Sequence, residues 1–201
     1  MKNMKVHAGL LAALFGVAAV LGFGAALPGY SQMVHPVSLL GATGVPHALA
    51  FSLLGFVIPG LLAAVVAVAL LQRLPATASW TLRVGGQMMV LAAMAFAAMG
   101  LLPLDGSDIE SRASQFHASA WMLWVVAFVP GALMLAVGGW KQPPWRSVAV
   151  LSLAAALAVA VAAFVLDVLM PVALAQRLAF ASWLLWLALV ARTGPGTRTR
   201  H

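Results

Sequence analysis

The sequence of 201 residues contains no cysteine. Disulfides, thiolate nucleophiles, iron–sulfur ligation and cysteine-based zinc sites are therefore excluded, and any metal would fall to His, Asp, Glu or backbone oxygen. Charge is scarce too. Asp, Glu, Lys and Arg make up 7% of the chain, where a soluble domain carries about 25%. So little charge cannot cover a water-facing surface. No P-loop and no GxGxxG occurs, which leaves nucleotide binding without a motif.

What the chain has in abundance is apolar length: 64% hydrophobic residues and a mean hydropathy of +1.04. Six apolar runs stand out, at 6–27, 49–71, 84–102, 118–137, 148–170 and 174–191. Each is close to the roughly 20 residues that cross about 30 Å of hydrocarbon as a helix. Unpaired backbone polar groups are too costly in lipid for any other spanning form of these runs. The fold class read from this pattern is all-α: a polytopic six-transmembrane-helix bundle in one domain, with a basic tail at 192–201. The first run exceeds the roughly 7–15 residues of a secretory signal core and has no clean cleavage box, so it reads as an uncleaved span.

Orientation follows from the basic residues, of which there are 11 against 4 acidic ones. With the N-terminus inside, Lys2, Lys5, Arg73, Arg83, Lys141, Arg146, Arg192, Arg198 and Arg200 all fall on the inner side. Only Arg112 and Arg177 fall outside. That asymmetry predicts both termini in the cytoplasm of a bacterial-type inner membrane. Scattered singly between apolar runs, these cations form no basic face of the kind nucleic acid requires. Trp80, Trp140 and Trp145 fall at inner boundaries, and Tyr30, Trp121 and Trp124 near the outer one. Trp183 and Trp186 lie deeper and are expected between helices. Pro59 and Pro130 are expected to kink the second and fourth spans.

The polar chemistry gathers on the outer side. Asp105, Asp108, Glu110 and Asp167 lie there with His35, His47 and His117. Asp167, at the end of the fifth run, is costly unless paired, and Arg177 at the start of the sixth is its expected partner. A structural salt bridge and an anion-binding role both stay open for that pair. His117 begins the fourth run, with Trp121 and Trp124 at i+4 and i+7 on one face. Asp105 stands close enough in sequence to orient His117 as a carboxylate orients an imidazole. Asp105 and His117 are the candidate catalytic pair; the blander role for His117 is a helix cap. His35, Ser38, His47, Trp121, Asp167 and Arg177 are candidate ligand-binding residues. Three histidines with a carboxylate would suit zinc, yet no HExxH or HxH pair occurs, so neither metal nor cofactor is specified. The first outer loop carries Gly, Pro and Ser turns around apolar Val34, Val37, Leu39 and Leu40, and is expected to fold over the bundle mouth.

Three stretches carry a family resemblance: YSQMVHPVSLLGATGVPHALAFSLLGFVIPG from Tyr30, GLLPLDGSDIESRASQFHASAW from Gly100, and AQRLAFASWLLW from Ala175. With six spans in about 200 residues, they resemble the bacterial membrane family known as domain of unknown function 998. The most recognisable residues are Ser38 with Gly41, Pro103 with Asp105, His117, and Gln176 with Arg177. The resemblance implies an acidic residue after the serine, where this chain has Leu39. It implies no activity.

Three functions compete. An outer-face site binding or processing a lipid or other amphiphile fits an apolar bundle with a polar mouth. A structural or assembly subunit would use the same face for a membrane-complex partner or a homo-oligomer. A transporter would need polar groups at mid-membrane, where the sequence offers only Ser52, Gln87 and Ser152. Enzymatic and non-enzymatic readings both stay open.

Overall fold

The computed structural model describes residues 2–193, apart from the side chains of residues 2–5 and of Asp167. Seven α-helices form six spans: α1 (Lys2–Ala26), α2 (Ala48–Phe51) continuing through a π-helix (Ser52–Val57) into α3 (Ile58–Leu71), α4 (Trp80–Leu101), α5 (Arg112–Gly139), α6 (Arg146–Phe164) and α7 (Val172–Val190). Six of these stretches are long and apolar enough to cross a membrane. The multi-pass, all-α reading of the sequence holds.

Local chemistry sets the ends. Ser79 caps α4 by accepting from the Leu82 amide at 3.4 Å. Ser111 caps α5 by accepting from Ser114 at 3.2 Å, which starts this helix six residues before the expected 118. His117 is thus in the second turn of a helix and not at its start. The fifth span stops at Phe164 rather than 170; beyond it Leu166–Val168 forms a 3-10 turn before Pro171. Proline biases the residue before it away from helix, so Pro171 keeps Met170 from rejoining a helix before α7 begins at Val172.

Pro59 has a specific consequence. In an α ladder its nitrogen would serve the carbonyl of Gly55, but it has no N–H and its ring crowds that carbonyl. Ser52–Val57, just ahead of the proline, widen to a π-helix, a local i→i+5 adjustment of the backbone bonding around a proline in a spanning helix. Pro130, by contrast, lies inside an uninterrupted α5.

The spans pack as a closed ring. Each is beside its neighbour in sequence, and α7 returns to α1. Lipid tails are as apolar as leucine, so helices associate through close packing at small residues. At the α3–α4 seam, a Cβ on Gly60 would lie 2.7 Å from that of Ala97 and 2.6 Å from its backbone nitrogen. At the α4–α5 seam, Gly85 lies so close that a Cβ there would meet the Gly131 carbonyl oxygen at 2.9 Å.

Rings fill the middle. Phe56 of the π-helix meets Phe96 of α4 at 5.4 Å and Phe180 of α7 at 6.0 Å. Phe96 lies 4.1 Å from Trp183, and Trp124 is 5.9 Å from both of them. Phe96 and Trp183 are tilted at 35° and the other pairs are edge-to-face, arrangements that add to area burial. Trp186 donates to the hydroxyl of Ser152 at 3.1 Å, a buried bond between α7 and α6. Trp183 and Trp186 do pack between helices, as their depth in the sixth run suggested. Gln87 is exposed on the outside of the bundle.

The seam glycines make a direct prediction. Gly60→Leu should lower the thermal unfolding temperature in detergent, since overpacking costs about 1–3 kcal/mol or more. Gly22→Leu should leave it nearly unchanged, because nothing lies within 4 Å of a Cβ there. Equal shifts for the two variants would contradict the close α3–α4 seam.

Candidate functional site: an arginine clasp at the head of a helix groove

The connections at 27–47, 102–111 and 165–171 gather at one end of the ring. The turns at 72–79 and 140–145 lie at the other, with the described ends of the chain. At the first end the organising residue is Arg177, half-buried in the second turn of α7. All five of its N–H donors are taken. Nε and Nη2 both donate to Gln32 Oε1, at 3.0 and 2.8 Å. Nη2 also reaches the Tyr30 hydroxyl at 2.6 Å, and Nη1 donates to the carbonyls of His35 and Ala173 at 3.0 and 2.8 Å. The guanidinium carbon lies 5.9 Å from the centre of the Tyr30 ring.

The clasp binds the long loop to two helices. Gln32 Nε2 donates to the Val20 carbonyl of α1 at 2.9 Å, so one amide links α1 to α7 through Arg177. Gly24 makes room for it: a Cβ there would collide with the Gln32 amide nitrogen. Tyr30 in turn donates to the Pro36 carbonyl at 3.2 Å, and His35 Nδ1 accepts from the Ser31 amide at 2.9 Å. Burial raises the Tyr30 hydroxyl above its ordinary pKa, opposed by the charge of Arg177 and the bond from it. The phenol therefore stays protonated at neutral pH and keeps its role as acceptor from Arg177 and donor to Pro36.

Below the clasp runs a groove of about 260 Å³ between α1 and α7. Val17, Val20 and Leu21 form one wall and Phe180, Ala181 and Leu184 the other, with Gln32 and Arg177 at the head. Gly16 lies close against Leu184, whose Cδ1 a Cβ there would meet at 2.9 Å, and the small side chain of Ala181 leaves the groove unfilled. The space is apolar along its length, with Arg177 among the residues at one end.

The other sequence candidates are distributed differently. His117 Nδ1 donates to the Leu102 carbonyl at 2.8 Å, capping the end of α4. Asp105 does not orient it. Its Oδ1 accepts instead from the amide and hydroxyl of Ser107, at 3.0 and 2.6 Å, and from the Asp108 amide at 3.3 Å. A three-residue turn satisfies the carboxylate locally, which is cheaper than spanning to a helix. The hydroxyl of Ser114 fastens this turn, donating to the Asp108 carbonyl at 2.8 Å. The Thr43 amide donates to the Leu104 carbonyl at 2.8 Å, joining the two loops.

His117 is buried against Phe56, ring centres 6.2 Å apart. Trp121 is half-buried, 5.0 Å from Trp124 and 5.3 Å from Phe180. The His117–Trp121–Trp124 face thus points into the bundle core. Ser38 lies in a 3-10 helix, Val37–Gly41, within the first loop. His47 is exposed at φ +61°, left-handed geometry, at the mouth of a separate groove between α1 and the second span. Among the described residues no three His, Asp or Glu side chains gather for a metal, so His35, His47 and His117 are not a common ligand set. The side chain of Asp167, the expected partner of Arg177, lies outside the described residues.

Gln32, Gly24, Ser114 and Ser152 carry structural weight that the sequence reading did not assign. Only Gln32 left a signal, as an amide in the longest loop beside Tyr30.

The model of the family described as Protein of unknown function (DUF998) matches residues 10–193. The chain belongs to that family, as the motifs at Ser38, Asp105, His117 and Arg177 suggested. No curated protein and no solved structure matches it.

Two outcomes check this geometry. Arg177→Ala should destabilise the protein by at least about 2 kcal/mol, since bonds to a charged donor are worth about 1.5–3 kcal/mol each. Faster hydrogen exchange should accompany it over residues 30–37, with Gly24→Ala giving a milder form; unchanged protection would contradict the clasp. For the 105–108 turn, the bonds from Ser107 hold the Asp105 carboxyl below its ordinary 3.8. A depressed carboxyl stabilises the folded turn above that ordinary value and loses the effect as pH falls through the lowered one. Asp105→Asn should therefore speed exchange of the Ser107 and Asp108 amides at neutral pH while leaving His117 bonded to Leu102.

Proposed function

We propose that this member of the family binds an anionic amphiphile at the periplasmic face of a bacterial-type inner membrane, with both termini in the cytoplasm. The sidedness rests on the asymmetry of the basic residues along the sequence, nine assigned to the inner side against Arg112 and Arg177 on the other. The binding reading is carried by one observation: an apolar groove between two helices with Arg177 and Gln32 at its head. The tail of an amphiphile would lie between α1 and α7, and its carboxylate or phosphate would meet Arg177.

The geometry of the clasp supports an exchange of partners. Gln32 Oε1 sits across the Nε and Nη2 edge of Arg177, the edge that binds a carboxylate or phosphate by two parallel bonds. A charged head displacing this neutral oxygen would gain strength, because charge-assisted bonds are about twice as strong as neutral ones. Gln32 would then turn aside and loosen the loop from α1. Binding is favoured over processing because Asp105 and His117, the acid–base candidates, are engaged with different partners.

An assembly role draws on a different feature of the same residue. Arg177 is already satisfied by its own loop, as a purely structural clasp requires. The two readings differ in what the groove does. Native mass spectrometry in a neutral detergent, with oleate beside oleyl alcohol as probes, separates them. Oleate is expected to bind about tenfold more tightly, a difference of about 1.4 kcal/mol. Ala181→Phe, which fills the groove at an exposed position and removes no donor or acceptor of the clasp, should abolish that binding. Equal retention of the two probes, or oleate binding unaffected by Ala181→Phe, would overturn the amphiphile reading and leave the clasp as an assembly device.

A further inference from the structure

At the opposite end of the ring, a second cleft opens between the start of α6 and the end of α7, with a volume of about 590 Å³. Its walls are apolar, from Val150 and Leu151 on α6 and Leu189 on α7, and its rim carries Arg146 and Arg192. Both arginines are exposed. Arg73 and Arg83 at the same end spend donors on backbone carbonyls, Arg73 on that of Thr193 at 3.2 Å. Among the described residues no such acceptor is found for Arg146 or Arg192. The bond from Arg73 holds the end of α7 in place, so Arg192 is presented from an anchored turn.

We infer that this cleft is a binding site for an anionic phospholipid, its phosphate between Arg146 and Arg192 and one acyl chain along Val150, Leu151 and Leu189. Three features favour that occupant over a zwitterionic lipid. Two guanidiniums from neighbouring helix ends present planar forks that match phosphate oxygens bidentately. The apolar walls begin directly below them, as the division between headgroup and chain requires. Basic pockets between membrane helices are sites where acidic headgroups collect, each cation near the surface adding attraction. The site is separate from the Arg177 groove, shares no residue with it, and stands whether or not that groove binds an amphiphile.

A neighbouring groove supplies an internal control. It lies between the start of α4 and the end of α5, has a similar volume of about 590 Å³, and carries a single cation, Lys141. The test uses the full chain in neutral detergent, with dioleoyl phosphatidylglycerol beside dioleoyl phosphatidylcholine and adducts read by native mass spectrometry. The phosphatidylglycerol should bind about tenfold more tightly, the anionic headgroup being drawn to the two surface cations. Arg146→Gln with Arg192→Gln should remove the preference, while Lys141→Gln should keep it. Val150→Trp, which fills the cleft at an exposed position and alters no charge, should also remove it. Equal binding of the two lipids would overturn the inference. So would a preference that survives Val150→Trp or the double variant, or one lowered equally by Lys141→Gln.

Discussion

Hydrocarbon offers no water to a polar group, and the arrangement of this protein follows from that constraint. Every span is a helix because only a helix pairs its own backbone in lipid. Where Pro59 removes a donor, the chain widens into a π-helix within the same span rather than breaking. Helices meet at Gly60, Gly85 and Gly131, where backbones can approach, since hydrophobic attraction gives neighbouring helices in lipid no reason to associate. Polar side chains are pressed to the two ends. Among the described residues the buried polar side chains are few and small: Ser52, Ser114, Ser152 and the His117 imidazole.

The same constraint bears on function. Phe56, Phe96, Trp124, Phe128, Phe180 and Trp183 occupy the middle of the ring, so the space a transported solute would need is taken by side chains. Gln87, a polar side chain in the body of α4, faces outward. What the fold leaves available lies at its periphery, in grooves between adjacent helices. Two of these, at opposite ends, combine apolar walls with guanidinium groups. A lipid or amphiphile lying along the outside of the bundle fits such grooves better than a solute passing through it.

Much of the fold was legible in the sequence because apolar length and single basic residues are strong signals. Span boundaries were less so. The start of α5 depended on Ser111 acting as a cap within a polar run, and the end of α6 on a 3-10 turn, Leu166–Val168, where Asp167 interrupts an otherwise apolar run. The site was legible only in part. Arg177 stood out as a charge near a membrane boundary, but its partners are Gln32, Tyr30 and two carbonyls far away in sequence or on the backbone. Such neutral acceptors leave no compositional trace. Asp105 and His117 looked like a pair because both are polar and close in sequence. Yet a carboxylate with amides two and three residues ahead satisfies itself locally, and an imidazole one turn into a helix finds the nearest carbonyl end.

The central claim is that an amphiphile lies between α1 and α7 with its charged head at Arg177. Photo-crosslinking in bilayers with a fatty acid carrying a diazirine along its chain tests this most directly. Labelled peptides are expected to cluster on residues 16–21 and 180–184, and excess unlabelled oleate should compete the label away. Labelling spread evenly over the lipid-facing sides of all six spans, or unaffected by oleate, would contradict it.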